Sequence, residues 1–240
     1  MMMMINRGIF ALYIIFQSYL AIGQQIDDQQ LWLNMNLKSE INNRWSIVIS
    51  PEIRYDKGMQ GFKNFNFQIE PTFRIIKDLF ADISYRIYTN RTTDDYRIQL
   101  GLTYKSKFNN NIRWNSRLSY YFDTKTFDSD YFNEYPVERV LRIRNSVSKQ
   151  IKKFSFAAIS DLRFRINANS TEYFNTNRYG ITFEYEFHKG HSFQLSNLIN
   201  TKYSKTSKTD YILSLNYSYE FKLRKLLKTI KKKSRQMKIS

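Results

Sequence analysis

The sequence contains no cysteine, and among its 240 residues only seven are glycine and three are proline. Without cysteine the chain has no disulfide framework and no thiolate metal site. So little glycine and proline excludes a collagen-like chain and a flexible linker. The aromatic content of 17% is too high for an intrinsically disordered chain. These absences leave a folded chain of one domain or two small ones.

Long apolar runs are also missing from the chain beyond its first residues. A transmembrane helix needs about 20 consecutive, mainly apolar residues, so the sequence excludes a bundle of such helices. It does not exclude a transmembrane β-barrel, because barrel strands carry their apolar side chains at every second position. Basic residues outnumber acidic ones by 38 to 21, which gives a formal net charge of +17.

The first 23 residues are typical of a secretory signal peptide. Arg7 supplies a positive charge, a mostly apolar stretch follows over residues 8–20, and the small residues Ala21 and Gly23 mark a cleavage site. We expect the mature chain to begin at Gln24, with an uncleaved membrane anchor as the alternative. An exported chain without cysteine is typical of a bacterial envelope, because secreted eukaryotic domains more often carry disulfides.

Apolar and polar residues alternate with period two through most of the remaining chain. Ile98 and Leu100, for example, share one face of a segment while Arg97 and Gln99 share the other. About eleven segments have this pattern, most of them near the ten residues that a tilted strand needs to cross a bilayer. We therefore predict an all-β fold over residues 24–221, an up-and-down antiparallel transmembrane β-barrel of ten to twelve strands.

The connections between these segments alternate between short turns and long polar loops. We place the short turns near residues 42–43, 77–78, 109–111, 152–153 and 188–191, and the long loops near residues 56–61, 90–95, 123–138, 167–177 and 204–208. Short turns at one end are typical of an outer-membrane barrel whose short turns lie in the periplasm. We expect both chain termini in the periplasm.

The closure of the barrel is left open by the sequence. Eleven antiparallel strands cannot close without one parallel pair. Either residues 24–30 form an additional strand, or the first segment lies apart from a ten-stranded wall. A water-soluble sandwich is the less favoured fold, since nothing in it requires loops of alternating length.

If the apolar face meets lipid, the polar face lines the lumen. Strand direction places seven basic residues near the long-loop end, with Asp210 as the main acid beside them. These candidates for a basic mouth are Arg54, Arg97, Arg142, Arg163, Arg165, Arg178 and Lys202. A ring of cations there would concentrate anions and disfavour cations. The alternative is a fixed lattice in which the arginines pair with lumen carboxylates.

The sequence offers little support for an enzyme. His188 and His191 lie in an expected periplasmic turn with no serine and carboxylate arranged as a triad, and they are poorly placed to bind a metal. Glu184 and Glu186 share one face, and we interpret them as partners of lumen arginines. No glycine loop that could hold a phosphate is present. We expect no catalytic residue, no metal site and no cofactor.

Residues 222–240 hold nine basic residues and no acidic one. Leu223, Leu226, Leu227 and Ile230 follow helical spacing, so a short basic amphipathic helix and a disordered periplasmic tail are both compatible with this segment. A helix there would contact anionic headgroups or an acidic partner. Export argues against nucleic-acid binding.

Several short segments resemble the family known as domain of unknown function 2490, predicted outer-membrane barrels of Gram-negative bacteria. They are the strand that carries Trp32 and the segments over residues 51–55, 85–86, 141–144 and 163–165. The resemblance implies an outer-membrane barrel and brings no activity, ligand or catalytic residue with it. The aromatic residues that end at Phe221 are similar to the assembly signal of such barrels, although here the basic tail follows.

Together these features predict an exported, monomeric outer-membrane barrel that serves as a structural or small-solute channel component, with an anion preference as the sharper hypothesis. Its expected partners are outer-membrane lipid, the barrel insertion machinery and a small anionic solute. Two other functions stay open. One is a barrel enzyme that modifies lipid or glycan, and the other is a soluble, lipocalin-like barrel that binds an apolar ligand inside.

Overall fold

In a computed structural model, the structure describes residues 26–90, 93–108, 111–125, 137–166, 174–203 and 207–222. The predicted signal peptide over residues 1–23 lies outside these ranges, and so does the basic tail from residue 223 onward. Among the described residues, no helix is long and apolar enough to cross a membrane.

Eleven β-strands form one closed barrel in which every strand pairs with its neighbours in the chain. Ten of the pairs are antiparallel, and the first and last strands pair in parallel, from Asp28 beside Asp210 to Glu40 beside Lys222. The strands are β1 (Asp28–Glu40), β2 (Trp45–Asp56), β3 (Gly61–Ile76), β4 (Leu79–Thr89), β5 (Asp94–Lys107), β6 (Ile112–Thr124), β7 (Glu138–Ile151), β8 (Phe154–Arg165), β9 (Phe174–His188), β10 (His191–Lys202) and β11 (Lys208–Lys222). The predicted all-β barrel of ten to twelve strands is confirmed.

The parallel pair of β1 and β11 corrects two expectations about closure. Within the described ranges there is neither a twelfth strand before β1 nor a ten-stranded wall with the first segment apart. An odd number of up-and-down strands also places the start of β1 and the end of β11 at opposite ends of the barrel. The chain termini themselves, which were expected in the periplasm, lie outside the described residues.

The connections confirm the predicted difference between the two ends. At one end, which we call the short-turn end, residues 41–44, 77–78, 108–111, 152–153 and 189–190 join the strands, two to four residues each. At the other end, the long-loop end, the connections are residues 57–60, 90–93, 125–137, 166–173 and 203–207, and they range from four to thirteen residues. Positive φ angles at Gly58 and Gly190 allow the tight turns in which these residues lie.

Alternating side chains give the wall two different faces. On β5, Leu100 and Leu102 project outward and expose 54% and 47% of their surface, whereas Gln99, which precedes Leu100 and faces inward, exposes 5%. β6 repeats the pattern, with Leu118 exposed by 47% and Ser119 by 2%. The apolar face therefore points away from the lumen, as the period-two pattern predicts.

Aromatic pairs decorate the outer face near both ends of the barrel. At the short-turn end, ring centroids lie 4.9 Å apart for Trp45 and Phe73 and 6.0 Å apart for Tyr104 and Trp114. Additional pairs at this end are Phe154 with Tyr185, His191 with Tyr219 and Tyr219 with Phe221. At the long-loop end the pairs are Tyr55 with Phe62 and Tyr85 with Tyr96. Two aromatic belts separated by an apolar band are typical of membrane barrels.

Candidate binding site in the barrel lumen

A cavity of about 800 Å³ occupies the lumen and extends to the short-turn end, where Gly190 and Glu220 form part of its rim. Eleven basic side chains line it: Lys38, Arg54, Arg86, Arg97, Arg113, Arg117, Arg142, Arg144, Lys153, Arg163 and Arg178. Six acidic side chains line it as well: Glu52, Glu70, Asp161, Glu184, Glu186 and Glu220. The wall of the cavity therefore carries an excess of positive charge.

A second cavity of about 430 Å³, lined by residues of β3 to β10, adjoins the first. Arg144, Arg117 and Glu184 line both cavities, so the two spaces share one stretch of wall. Small polar side chains, including Ser146, Ser148 and Thr182, form much of the remaining lining of the second cavity. Because these side chains are short, they leave room inside a barrel of this size.

Toward the long-loop end the main cavity stops at a group of six arginines that we call the arginine layer. Its members are Arg54, Arg86, Arg97, Arg142, Arg163 and Arg178, and three carboxylates, of Glu52, Asp123 and Asp161, pair with five of them. Arg86 instead donates hydrogen bonds to the side-chain amide oxygen Oε1 of Gln68, one of them 2.6 Å long.

Asp161 is the centre of this layer. Arg142 donates two hydrogen bonds to its carboxylate, of 2.8 and 2.6 Å, which is a bidentate arrangement. Nη2 of Arg163 lies 3.4 Å and Nη1 of Arg178 lies 4.0 Å from Asp161 Oδ2. The Asp161 side chain is only 2% exposed. One buried carboxylate thus serves three guanidinium groups.

Aromatic rings on the inner face hold the other arginines. The Arg54 guanidinium lies over the Trp32 ring, 3.8 Å from its centroid, and forms a 2.6 Å ion pair with Glu52. Arg178 contacts the same Trp32 ring at 4.8 Å. Cation–π contacts of this kind fix a planar guanidinium against a ring face.

Arg97, on β5, is held in the same manner. It donates two hydrogen bonds of 2.5 Å to the Asp123 carboxylate. Its guanidinium lies 4.0 Å from the Tyr121 ring centroid and 5.0 Å from that of Tyr88. The arginine layer is therefore a packed lattice of ion pairs and ring contacts.

Irregularities of the strands lie next to two members of the layer. The register between β2 and β3 shifts at Arg54 and Tyr55, and that between β8 and β9 shifts at Arg163 and Phe164. A β-bulge bends the strand and redirects the side chain beside it. These shifts contribute to the convergence of arginines from different strands.

Beyond the arginine layer, side chains fill the lumen toward the long-loop end. Val140 and Ile212 are 0% and 1% exposed, and Tyr121 is 3% exposed. The polar side chains of Asn66 and Asn200 are buried there too. In the part of the chain that the structure describes, the long-loop half of the lumen is packed and the short-turn half holds the open space.

The charges of the short-turn half are paired less completely. Arg117 bridges Glu70, at 2.9 Å, and Asp82. Gly101 makes room for the Asp82 carboxylate, because a Cβ atom there would lie 2.5 Å from its Oδ1. Arg113 donates a 2.7 Å hydrogen bond to Gln150.

Three charged side chains of this half have no partner among the described residues: Arg144, Glu184 and Glu186 form no ion pair, no side-chain hydrogen bond and no cation–π contact there. Glu184 and Glu186 were expected to pair with lumen arginines, and that expectation is wrong. Arg113 and Arg117 already have other partners, and Arg144, which lines the same cavity, forms an ion pair with neither glutamate.

The structure places five of the seven basic residues predicted from the sequence in the cavity wall, all of them in the arginine layer: Arg54, Arg97, Arg142, Arg163 and Arg178. Arg165 and Lys202 lie closer to the loops, where Arg165 pairs with Glu138 at 3.0 Å and Lys202 with Asp210 at 3.3 Å. Asp210 is therefore the partner of one lysine, and Asp161 is the main acid. The predicted ring of cations is largely an ion-pair lattice, which was the alternative.

Three aromatic residues of the site were not predicted from the sequence. Trp32, Tyr88 and Tyr121 project into the lumen, each beside one or more arginines. Strand parity could have found them, since each lies two residues from an inward-facing polar residue, such as Asn34 beside Trp32. They were missed because the aromatic residues were expected to face lipid.

The histidines lie at the rim of the short-turn end, where His191 lines part of the main cavity. Nδ1 of His191 lies 2.7 Å from the Tyr217 hydroxyl, and the His188 and His191 rings lie 5.6 Å apart. Within the described ranges no group of three or more histidine, cysteine or acidic residues could hold a metal ion.

Two comparisons with known proteins found a similarity. A family model described as protein of unknown function (DUF2490) matches residues 29–211, which confirms the resemblance predicted from the sequence. A solved structure of a NanC porin in a rhombohedral crystal form is similar to this chain with a TM-score of 0.48 and 13% sequence identity, over 72% of this chain and 86% of that one. No curated protein matches the sequence.

Proposed function

We propose that this chain, which belongs to the DUF2490 family of proteins of unknown function, is an outer-membrane β-barrel that admits small anionic solutes to its lumen. The observation that carries the proposal is the wall of the main cavity, where eleven basic side chains face six acidic ones. Clefts lined by charge of one sign raise the local concentration of counter-ions, and rings of arginine and lysine favour anions in pores.

The outer face supports the location in a membrane. Strands of 11 to 16 residues are long enough to cross a bilayer when tilted. Exposed leucines in the middle of the wall, with aromatic belts at both ends, suit contact with hydrocarbon and with the interfaces. A soluble barrel that binds an apolar ligand would need these side chains inside.

The orientation in the membrane follows from the loops. Long loops on the outside and short turns in the periplasm are usual in such barrels. The cavity then opens to the periplasm, and the arginine layer separates it from the outside. Residues 1–23 act as the signal for export, and the basic tail after Phe221 extends into the periplasm. Insertion requires the barrel assembly machinery, and the chain acts as a monomer without enzymatic activity.

The packed arginine layer makes the conductance small. The layer contains six guanidinium groups and three carboxylates, so its net charge is positive. An anion that crosses the layer exchanges between these guanidinium groups. Purified protein in planar bilayers, with a salt gradient of potassium chloride, measures the preference as a reversal potential. We expect the sign of an anion-selective pore.

Two matched double variants test the origin of this preference. Arg113→Gln with Lys153→Gln removes two exposed cations of the cavity wall, and Glu184→Gln with Glu186→Gln removes two acids that have no partner in the described residues. The first pair should reduce the anion preference and the second should raise it. A cation-selective wild type, or one that never conducts, would overturn the proposal.

A further inference from the structure

Arg144 differs from the other arginines of the lumen. It projects from β7 into the open half of the lumen, lines both cavities and is exposed to their solvent. Every other arginine of the main cavity wall has a carboxylate or an amide partner, whereas Arg144 has none among the described side chains.

The register explains why Arg144 is left over. Its neighbour across the β7–β8 pair is Asp161, and its neighbour across the β6–β7 pair is Arg117. The Asp161 carboxylate already serves the three arginines Arg142, Arg163 and Arg178. Arg117 already holds Glu70 and Asp82. The acid that lies beside Arg144 on an adjacent strand is thus engaged, and the surroundings of Arg144 are rich in cations.

We infer that Arg144 is a binding point for a small oxyanion, a carboxylate or phosphate group of a solute that enters the cavity. A guanidinium with free N–H donors binds such groups through two parallel hydrogen bonds. Nearby Ser146, Ser148 and Gln194 supply hydroxyl and amide groups for the rest of a polar solute. The inference rests on the proposed function and names the residue that binds the anion inside the lumen.

Glu184 and Glu186 limit what can bind beside Arg144. Glu184 lines the same two cavities without a partner, and Glu186 lines the main cavity closer to the rim. Their negative charges disfavour a solute that carries several anionic groups over one that carries a single group. A solute with a single oxyanion group is therefore the class that this wall accepts best.

The test titrates purified protein in detergent micelles with inorganic phosphate in one arm and acetate in the other, by calorimetry and by phosphorus NMR line width for phosphate. We expect Arg144→Gln to weaken binding by about tenfold or more, because it removes a charge-assisted pair of hydrogen bonds. Arg144→Lys should retain part of the affinity, since it keeps the charge but not the bidentate geometry.

Arg113→Gln is the matched control, because it removes the same charge from the same cavity wall at an arginine that already has an amide partner. Equal weakening in both variants would mean that anions respond to the general potential and would overturn the assignment. Binding by Arg144→Gln at the wild-type level would overturn it too.

The assay separates this inference from the proposed function. If phosphate binding depends on Arg144 but the protein never conducts, the binding site is supported and the channel function is overturned. If the conductance is anion-selective but Arg144→Gln does not affect anion binding, the channel function is supported and the binding site is overturned. A response in the acetate arm alone would assign the site to carboxylates, and a response in the phosphate arm alone would assign it to phosphates.

Discussion

The two halves of the lumen are built from the same strands but are filled in opposite manners. In the long-loop half, arginines, carboxylates and aromatic rings pack against one another, and Val140 is completely buried. In the short-turn half, serines and threonines leave open space, and Arg144, Glu184 and Glu186 lack partners among the described residues.

This difference shows how one barrel can combine a rigid barrier with an accessible chamber. A charged side chain is held in place where an opposite charge and a ring face reach it from neighbouring strands. The same type of side chain is available to a solute where the neighbouring positions are small. The size of the inward residues, rather than their charge, therefore separates the barrier from the chamber.

The largest effect should come from Asp161→Asn, which removes the acid at the centre of the packed half. Arg142, Arg163 and Arg178 would then lose their shared counter-ion. Removal of one partner of a buried ion pair typically costs about 3–5 kcal/mol. We expect the free energy of unfolding, measured by urea titration of the micelle-bound or vesicle-bound barrel, to fall by that amount.

Glu184→Gln provides the control for that measurement, because it makes the same type of change at a lumen acid without a described partner. It should change the free energy of unfolding by no more than about 0.5 kcal/mol. Equal stability of Asp161→Asn and Glu184→Gln would contradict the distinction between the packed half and the open half.

An intermediate effect is expected from enlarging a side chain in each half. Val140 and Ser148 both face the lumen from β7, and Val140 is 0% exposed whereas Ser148 lines the second cavity. Val140→Phe should lower the free energy of unfolding by about 1–3 kcal/mol, since the packed half has no room for the ring. Ser148→Phe should be tolerated and should reduce the measured conductance, because its ring enters the open space. Similar decreases in the free energy of unfolding from both substitutions would contradict the distinction between the packed half and the open half.

The smallest effect should come from the ion pair that joins β1 to β11 near the short-turn end. Lys38 Nζ lies 2.8 Å from Glu220 Oε2, and the two side chains are 43% and 42% exposed. Exposed pairs of this kind contribute about 0–1 kcal/mol and are weakened by salt. Lys38→Gln should therefore change the unfolding midpoint only slightly, and less at high salt. A large loss of stability would show that the parallel seam depends on this pair.

Much of the fold could be predicted from the sequence because period two is a strong signal. It assigned inward and outward faces correctly for residues such as Leu100 and Gln99 and located the turns. It could not fix the strand number, since alternation does not reveal how the first and last strands pair. The parallel contact of β1 with β11 emerged only from the register.

The site was predicted less completely for a geometric reason. Parity gives the face on which a side chain lies, but the strands are tilted, so sequence position does not give its height in the lumen. Asp210 was expected to be the main acid beside the basic residues of the long-loop end, whereas Asp161 lies at the centre of three of them. Glu184 and Glu186 were expected to pair with lumen arginines and form no ion pair, because parity does not show whether two inward side chains come within reach of each other.

The central claim is that the apolar face meets lipid while the charged face surrounds water, and the absence of cysteine makes it directly measurable. Leu102 and Thr103 are adjacent on β5, with Leu102 47% exposed on the outer face and Thr103 lining the second cavity. Spin labels on Leu102→Cys and on Thr103→Cys, in barrels reconstituted in vesicles, report collisions with oxygen and with a water-soluble nickel chelate. The account predicts that oxygen dominates at position 102 and the chelate at position 103. Preference for the chelate at position 102 together with exclusion of the chelate at position 103 would contradict it, because the apolar face would then meet water.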